Sequence, residues 1–306
     1  MNRLYGYPVF SRAGLGNLLS VWADCLLWCR DNNARMISPT WWLKFHIGPY
    51  IRGERDKRNY YRCFWPTDQI TGFSKWSLLM FAQRVSAEEW RADGTVQQRT
   101  GNTVVCFSDM TQFRRIIGRN AEVASALYRM TRPKFFPRGI GDKPFIGIHV
   151  RLGDYPPAST NTSRKLLIFK QPIEWYASCL LEIRRAQGMN LEAIVFSDGW
   201  DAELAPLLSL PAVSRSPFRA AITDLLALAR STVLITSRST FSIWGSYLGQ
   251  VPSVWFPKKS DICGNGVFAE NGSELEIEWK VDDKLPIGFV DAIAKRMCTR
   301  LAGPAK

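Results

Sequence analysis

Phe145-Ile146-Gly147-Ile148-His149-Val150-Arg151-Leu152-Gly153-Asp154-Tyr155 is apolar at its start and turns polar at its end. The apolar half predicts a strand over Phe145 to Val150. In open α/β sheets, ligands bind beyond the carboxyl ends of strands, where His149, Arg151 and Asp154 would lie. The guanidinium of Arg151 suits a diphosphate, because its fork of donors can chelate phosphate oxygens. The competing reading is a strand-end ion pair between Arg151 and Asp154, with His149 satisfied by backbone.

Two later segments repeat this pattern. Val195-Phe196-Ser197-Asp198-Gly199 is a second strand ending in polar residues. Thr236-Ser237-Arg238-Ser239-Thr240-Phe241-Ser242-Ile243-Trp244-Gly245 is a third, whose hydroxyls would cap a helix. A capped helix N-terminus binds phosphate, although plain N-capping explains the same residues. Between and after these strands, helices are predicted over residues 172–186, after Phe196, over 219–230 and from Ser239 to about 248. Val251 to Phe256 is a further strand. Strands alternating with helices predict a parallel, doubly wound sheet.

Upstream, Tyr7 to Phe10 is a short apolar stretch, followed by Gly14-Leu15-Gly16-Asn17. Leu15, Leu18, Leu19, Trp22, Leu26 and Cys29 then recur at helical spacing, and Met36-Ile37-Ser38 resumes as a strand. Residues 41–76 lose periodicity. They hold four Trp (41, 42, 65 and 76) among many Arg and Lys. They read either as a platform whose aromatic faces stack on sugar rings and whose Arg and Lys neutralise acidic ones, or as a helical insert with its Trp residues in the core. Strand character returns at 103–108, and a helix follows over about 118–131. Pro133 to Pro144 is rich in Pro, Gly and Lys and reads as a linker. The expected architecture is therefore α/β, with two Rossmann-like doubly wound domains, 1–135 and 136–306, facing a cleft.

The chain of 306 residues is 46% hydrophobic and 22% charged, which fits a folded protein rather than a disordered one. The net charge of +13 and a pI near 9.6 suit polyanions, including nucleic acid, anionic lipid, phosphorylated substrates and acidic glycans. The seven cysteines are irregularly spaced and read as free, mostly buried thiols of a reducing compartment. The start of the chain lacks the apolar core of a signal peptide, and no apolar run approaches the roughly 20 residues that span a bilayer. The acceptor patterns at Asn161 and Asn271 carry little weight without a secretion signal. His46 and His149 are the only histidines and no DxD pair is evident, so no metal site is expected. His46 reads as a surface or packing residue.

The order of segments adds a resemblance. GxHVRxGDY, a Tyr-bearing helix at Glu174-Trp175-Tyr176, FSD, a helix with Thr223-Asp224-Leu225, and SxSTFSxWG follow one another. With the N-terminal GLGN, the set resembles the bacterial α-1,2-fucosyltransferases (glycosyltransferase family 11). The likeness runs from about residue 12 to 258. It departs from the family where a second Arg becomes Leu152, a second Asp becomes Gly199, a Gln becomes Leu18 and a Trp becomes Ile243.

The resemblance implies a GT-B fold and an inverting, metal-independent transfer of fucose from GDP-fucose, as in a galactoside 2-alpha-L-fucosyltransferase. The acceptor would be held mainly by the N-terminal domain and the donor mainly by the C-terminal one. Arg151, His149 and Asp154 carry over as catalytic residues. Gly14, Gly16, Asn17, Asp198, Ser239, Thr240 and Ser242 carry over as donor-binding residues. Asp154 is the nearest motif carboxylate for a general base, or else it positions Arg151. With Leu152 beside it, Arg151 is expected to bear an unusually large share of the phosphate charge, and Leu152→Arg is expected to restore part of the activity in an Arg151→Ala background. The expected acceptor is a cell-surface glycan such as O-antigen, capsule or exopolysaccharide, free or lipid-linked. The expected location is cytoplasmic, peripheral on an anionic inner membrane surface, with no specific nucleic acid bound. The alternatives are the same fold with another nucleotide sugar or linkage, and a non-catalytic nucleic-acid or glycan binder.

Overall fold

The computed structural model describes residues 3–41, 60–92, 101–110, 113–153, 170–257 and 275–301. These form two compact units, divided between Phe135 and Phe136 in the described chain. The first contains β1 (Arg3–Pro8), α1 (Leu15–Asp31), β2 (Arg35–Met36), α2 (Gly72–Phe81), β3 (Gln83–Ser86), α3 (Ala87–Ala92), β4 (Asn102–Phe107) and α4 (Asn120–Met130). Its sheet is parallel in the order β2-β1-β4-β3. The helical spacing from Leu15 to Cys29 becomes α1, and Leu18, Leu19, Trp22 and Cys25 are buried along it.

Two elements of this unit, β3 and α3, left no clear periodicity. They are held by charge as well as by packing. Asp24 of α1 is buried and accepts two hydrogen bonds from Arg91 of α3, at 2.8 and 3.0 Å. A buried carboxylate needs such a partner, because leaving it unpaired costs several kcal/mol, to order of magnitude. Within the aromatic, basic stretch, Trp41 is buried against Phe64 at 4.2 Å, whereas Trp65 and Trp76 are exposed. Trp42 and His46 lie outside the described residues.

The second unit contains β5 (Phe145–Val150), α5 (Ile173–Gln187), β6 (Glu192–Ser197), α6 (Asp201–Leu208), β7 (Val213–Arg215), α7 (Ala221–Leu228), β8 (Val233–Ile235), α8 (Thr240–Gly249), β9 (Ser253–Trp255), β10 (Glu276–Glu278) and α9 (Ile287–Leu301). Its six strands are all parallel, in the order β10-β9-β8-β5-β6-β7. The chain thus winds outward one way from β5 through β7, then returns to β8 and winds the other way. The order reverses between β5 and β8, the switch point where open α/β sheets leave a crevice.

Both faces of this sheet are covered at its centre, which is why β5 and β8 read as near-continuous apolar runs rather than alternating ones. On one face, Ile146, Ile148 and Val150 of β5 join a core with α5, α6 and α9, through residues such as Cys179, Leu204 and Ile293. On the other, Phe145 and Phe196 pack with Ala227 and Leu228 of α7. The period of two along β5 puts His149 on this second face. Among the described residues no helix is long and apolar enough to cross a membrane.

Candidate active site

A pocket opens at the carboxyl ends of β5 and β6. His149 and Arg151 enter it from β5, Phe196, Ser197 and Asp198 from β6, and Phe218 and Arg219 from the loop after β7. Ala221 and Asp224 of α7 and Phe241 of α8 complete the lining. Its polar groups converge beside the aromatic rings of Phe196, Phe218 and Phe241, the mix of ring faces and directed polar atoms that small-molecule sites use.

Arg151 Nη1 lies 2.7 Å from Asp198 Oδ2. Asp198 Oδ1 also accepts the backbone N–H of Leu152 at 2.9 Å. The carboxylate therefore grips both the side chain and the backbone of the β5 terminus. Gly153 makes this possible, since a Cβ there would stand 2.6 Å from Asp198 Oδ2. Arg151 thus pairs with Asp198; Asp154, the partner read from the sequence, lies outside the described residues.

His149 is buried against Phe241, with ring centroids 5.0 Å apart. Its Nδ1 shares hydrogen bonds with the hydroxyls of Ser242 at 2.6 Å and Ser237 at 2.8 Å. The expected backbone partner is replaced by two serines that stand at the start of α8. Burial, opposed by Asp198, brings the imidazole down to about 3, so the ring is neutral at ordinary pH. Ser242 Oγ accepts the backbone N–H of Ser237 at 3.1 Å, which fixes the turn from β8 into α8.

The remaining predicted donor residues divide. Ser239 is the N-cap of α8 and accepts from Phe241 N at 3.2 Å, as plain capping predicts. Thr240 begins that helix; neither residue lines the pocket. Gly14, Gly16 and Asn17 belong to the first unit, at the start of α1. There the N–H of Leu15 donates to Tyr60 Oη at 3.1 Å, so part of that helix terminus is already satisfied by the protein.

Leu152 corrects an expectation. Its side chain is buried in the core with α5 and α6 and does not line the pocket. A Cβ on Gly199 would stand 2.4 Å from Leu152 Cδ1. The two departures from the family pattern, Leu for Arg and Gly for Asp, are therefore one structural change: the leucine occupies the space that a larger residue at 199 would need. An arginine at 152 would enter apolar surroundings rather than face a phosphate, so Leu152→Arg offers no rescue.

Sequence reasoning did not assign Phe218, Arg219 or Asp224 to the site. Asp224 stands in the quoted Thr-Asp-Leu segment, and its Oδ1 accepts the Ser216 hydroxyl at 2.5 Å. Phe218 and Arg219 follow β7, a strand of three residues, too short to show periodicity. Among the described residues no group of three or more His, Cys, Asp or Glu gathers as metal ligands would.

No protein-family model matches the chain. A search of curated proteins also finds no match. Solved structures do. The fucosyltransferase NodZ from Bradyrhizobium superposes with a TM-score of 0.51 at 17% identity, over 83% of this chain and 94% of that one. NodZ α-1,6-fucosyltransferase co-crystallized with GDP gives 0.51 at 17% identity, over 83% and 95%. At this identity the likeness is one of fold: parallel-sheet α/β architecture of the GT-B type, as expected.

Proposed function

We propose that this chain is an inverting glycosyltransferase that moves fucose from GDP-fucose to a glycan hydroxyl, forming an α-1,2 linkage. The observation that carries the reading is Arg151, held by Asp198 at the end of β5, beside the strand-order reversal and at a pocket ready for a nucleoside. The linkage rests on the motif order alone. A second reading, the same donor with another linkage, is favoured by the fold likeness to an α-1,6 enzyme and by the Leu152–Gly199 exchange.

In such a transfer the acceptor oxygen attacks the anomeric carbon from the face opposite the departing GDP. The carbon–oxygen bond to the β-phosphate breaks, and negative charge grows on that phosphate. Arg151 is the residue we assign to receive it, preorganised by Asp198 so that little reorganisation is needed as charge develops. Arg219 at the pocket edge adds a second cation. Two guanidinium groups give a protein-only account of the charge, with no metal required. The acceptor proton must go to a base, a role that Asp154 is proposed to take.

The pocket also suits guanine. Phe218 and Phe241 provide ring faces for a base. Asp224 supplies a carboxylate, which accepts but never donates when ionised. Guanine presents two adjacent N–H donors on one edge, N1 and N2; uracil presents a single one. The N-terminal unit is the proposed acceptor side, and Gly14, Gly16 and Asn17 at the start of α1 are proposed donor-binding residues. The acceptor class is a cell-surface glycan or lipid-linked oligosaccharide, met on the inner face of the membrane.

The test is a transfer assay with GDP-fucose and EDTA, reading product linkage and turnover. Fucosyl transfer under these conditions is expected, and Arg151→Ala should lower the rate by about 10²–10³ with an unchanged melting temperature. Arg151→Lys should recover little, because a point charge cannot reproduce the fork. Near-wild-type turnover in a folded Arg151→Ala protein would remove the central residue from the mechanism. Binding of random RNA with no effect of any nucleotide sugar would favour the non-catalytic alternative.

A further inference from the structure

We propose that the outer face of α2 docks this chain onto an anionic membrane surface. Phe73 is 78% exposed, Trp76 52%, Met80 60% and Phe81 76%. At 100° per residue these four fall on one side of the helix, and Phe73–Trp76 and Trp76–Phe81 touch ring to ring at 5.6 and 5.8 Å. The opposite side is accounted for. Leu78, Leu79 and Ala82 pack on Tyr5, Ile37, Ile70 and Val104, and Lys75 Nζ donates to Ser38 O at 2.6 Å. A helix on the surface of a soluble domain normally turns charged residues outward. This one is apolar on both faces, and a contiguous exposed patch of that kind marks an interaction site.

Charge selects the occupant. Residues 1–135 hold 20 of the 40 Lys and Arg but only 10 of the 27 Asp and Glu, a net +10 against +3 for 136–306. No carboxylate occurs between Asp68 and Glu88, a span that contains all of α2, whereas Arg84 stands exposed on β3 directly after it. Phospholipid headgroups complement such a surface, and Trp and Phe favour the boundary between headgroups and acyl chains. A second copy of the chain would set two strongly positive units against each other. A single-stranded nucleic acid needs cations interleaved with its stacking rings, and the outer face of α2 has none.

The test is sedimentation of the full chain with phosphatidylcholine vesicles, with and without phosphatidylglycerol, at low and high salt. Binding to the anionic vesicles is expected, weakened by salt. The variant Phe73→Ser/Trp76→Ser/Phe81→Ser should keep the wild-type melting temperature, since the side chains are exposed, and bind at least about tenfold more weakly. Phe73→Ser alone gives the same reading at smaller amplitude should the triple variant fail to fold. If wild type ignores anionic vesicles, the membrane location itself falls, while the donor pocket is untouched. If wild type and variants bind vesicles equally, α2 is not the docking face. A concentration-dependent dimer, or binding of random RNA, that the variants abolish would assign the face to that partner and overturn the proposal.

Discussion

Asp198 serves two masters at the residue scale, the Arg151 guanidinium and the Leu152 amide, and so fixes the direction in which β5 presents its cation. The same turn shows how a motif can change without losing its geometry. Leu152 fills the space beside Gly199, and the pair behaves as one unit. Leu152→Arg alone should destabilise by about 3 kcal/mol or more, by burying a charge among apolar side chains. Gly199→Asp alone should cost about 1–3 kcal/mol through collision with Leu152. The double variant should lose at least about 1 kcal/mol less than the two losses combined, since each new side chain then has its partner. Urea unfolding of the four proteins measures this coupling; simple additivity would mean that the two positions are independent.

At the scale of elements, the packing of α8 on β5 sets the state of His149. Its neutral ring, with a value near 3, lies well below the roughly 6.5 of an unfolded histidine. Between those values the unfolded chain holds a proton that the native chain does not. Stability therefore rises with pH across that window and is flat above it. From pH 7.5 down to pH 5 the native state should lose about 2 kcal/mol on this account. His149→Gln should remove most of that loss, which unfolding by urea at the two pH values would show. An identical pH dependence in the variant would mean that the imidazole is not held neutral by its burial.

Much of this element scale was legible in the chain. The apolar runs at 145–150 and 193–196, and the hydroxyl-rich start of α8, predict their elements because burial on both faces and helix capping leave local signatures. What stayed hidden has physical causes. β7 and β10 have three residues each and mix charged or polar residues with apolar ones, Val-Ser-Arg and Glu-Ile-Glu, so they lack the apolar run that marks the equally short β8. Arg219 is one basic residue among 40, and only the fold brings it to the pocket. The pairing of Arg151 with Asp198 joins residues 47 positions apart, which no local pattern reports. Leu152 looked like a lost phosphate ligand because sequence order gives a position but not the direction of a side chain.

For the whole molecule, the two units differ in charge. The second unit carries the pocket and is nearly balanced in charge, while residues 1–135 carry most of the excess positive charge. That division fits a donor site in one unit and an acceptor or membrane-facing role in the other. The central claim is that the pocket at the ends of β5 and β6 holds GDP through its own side chains. The most direct measurement is calorimetric titration with GDP and UDP in EDTA, for the wild type, Arg151→Ala and Asp224→Asn. The account predicts that GDP binds the wild type without metal, that UDP binds at least about tenfold more weakly, and that each substitution weakens GDP at least about tenfold. Equal binding of the two nucleotides, or GDP affinity unchanged by both substitutions, would contradict it.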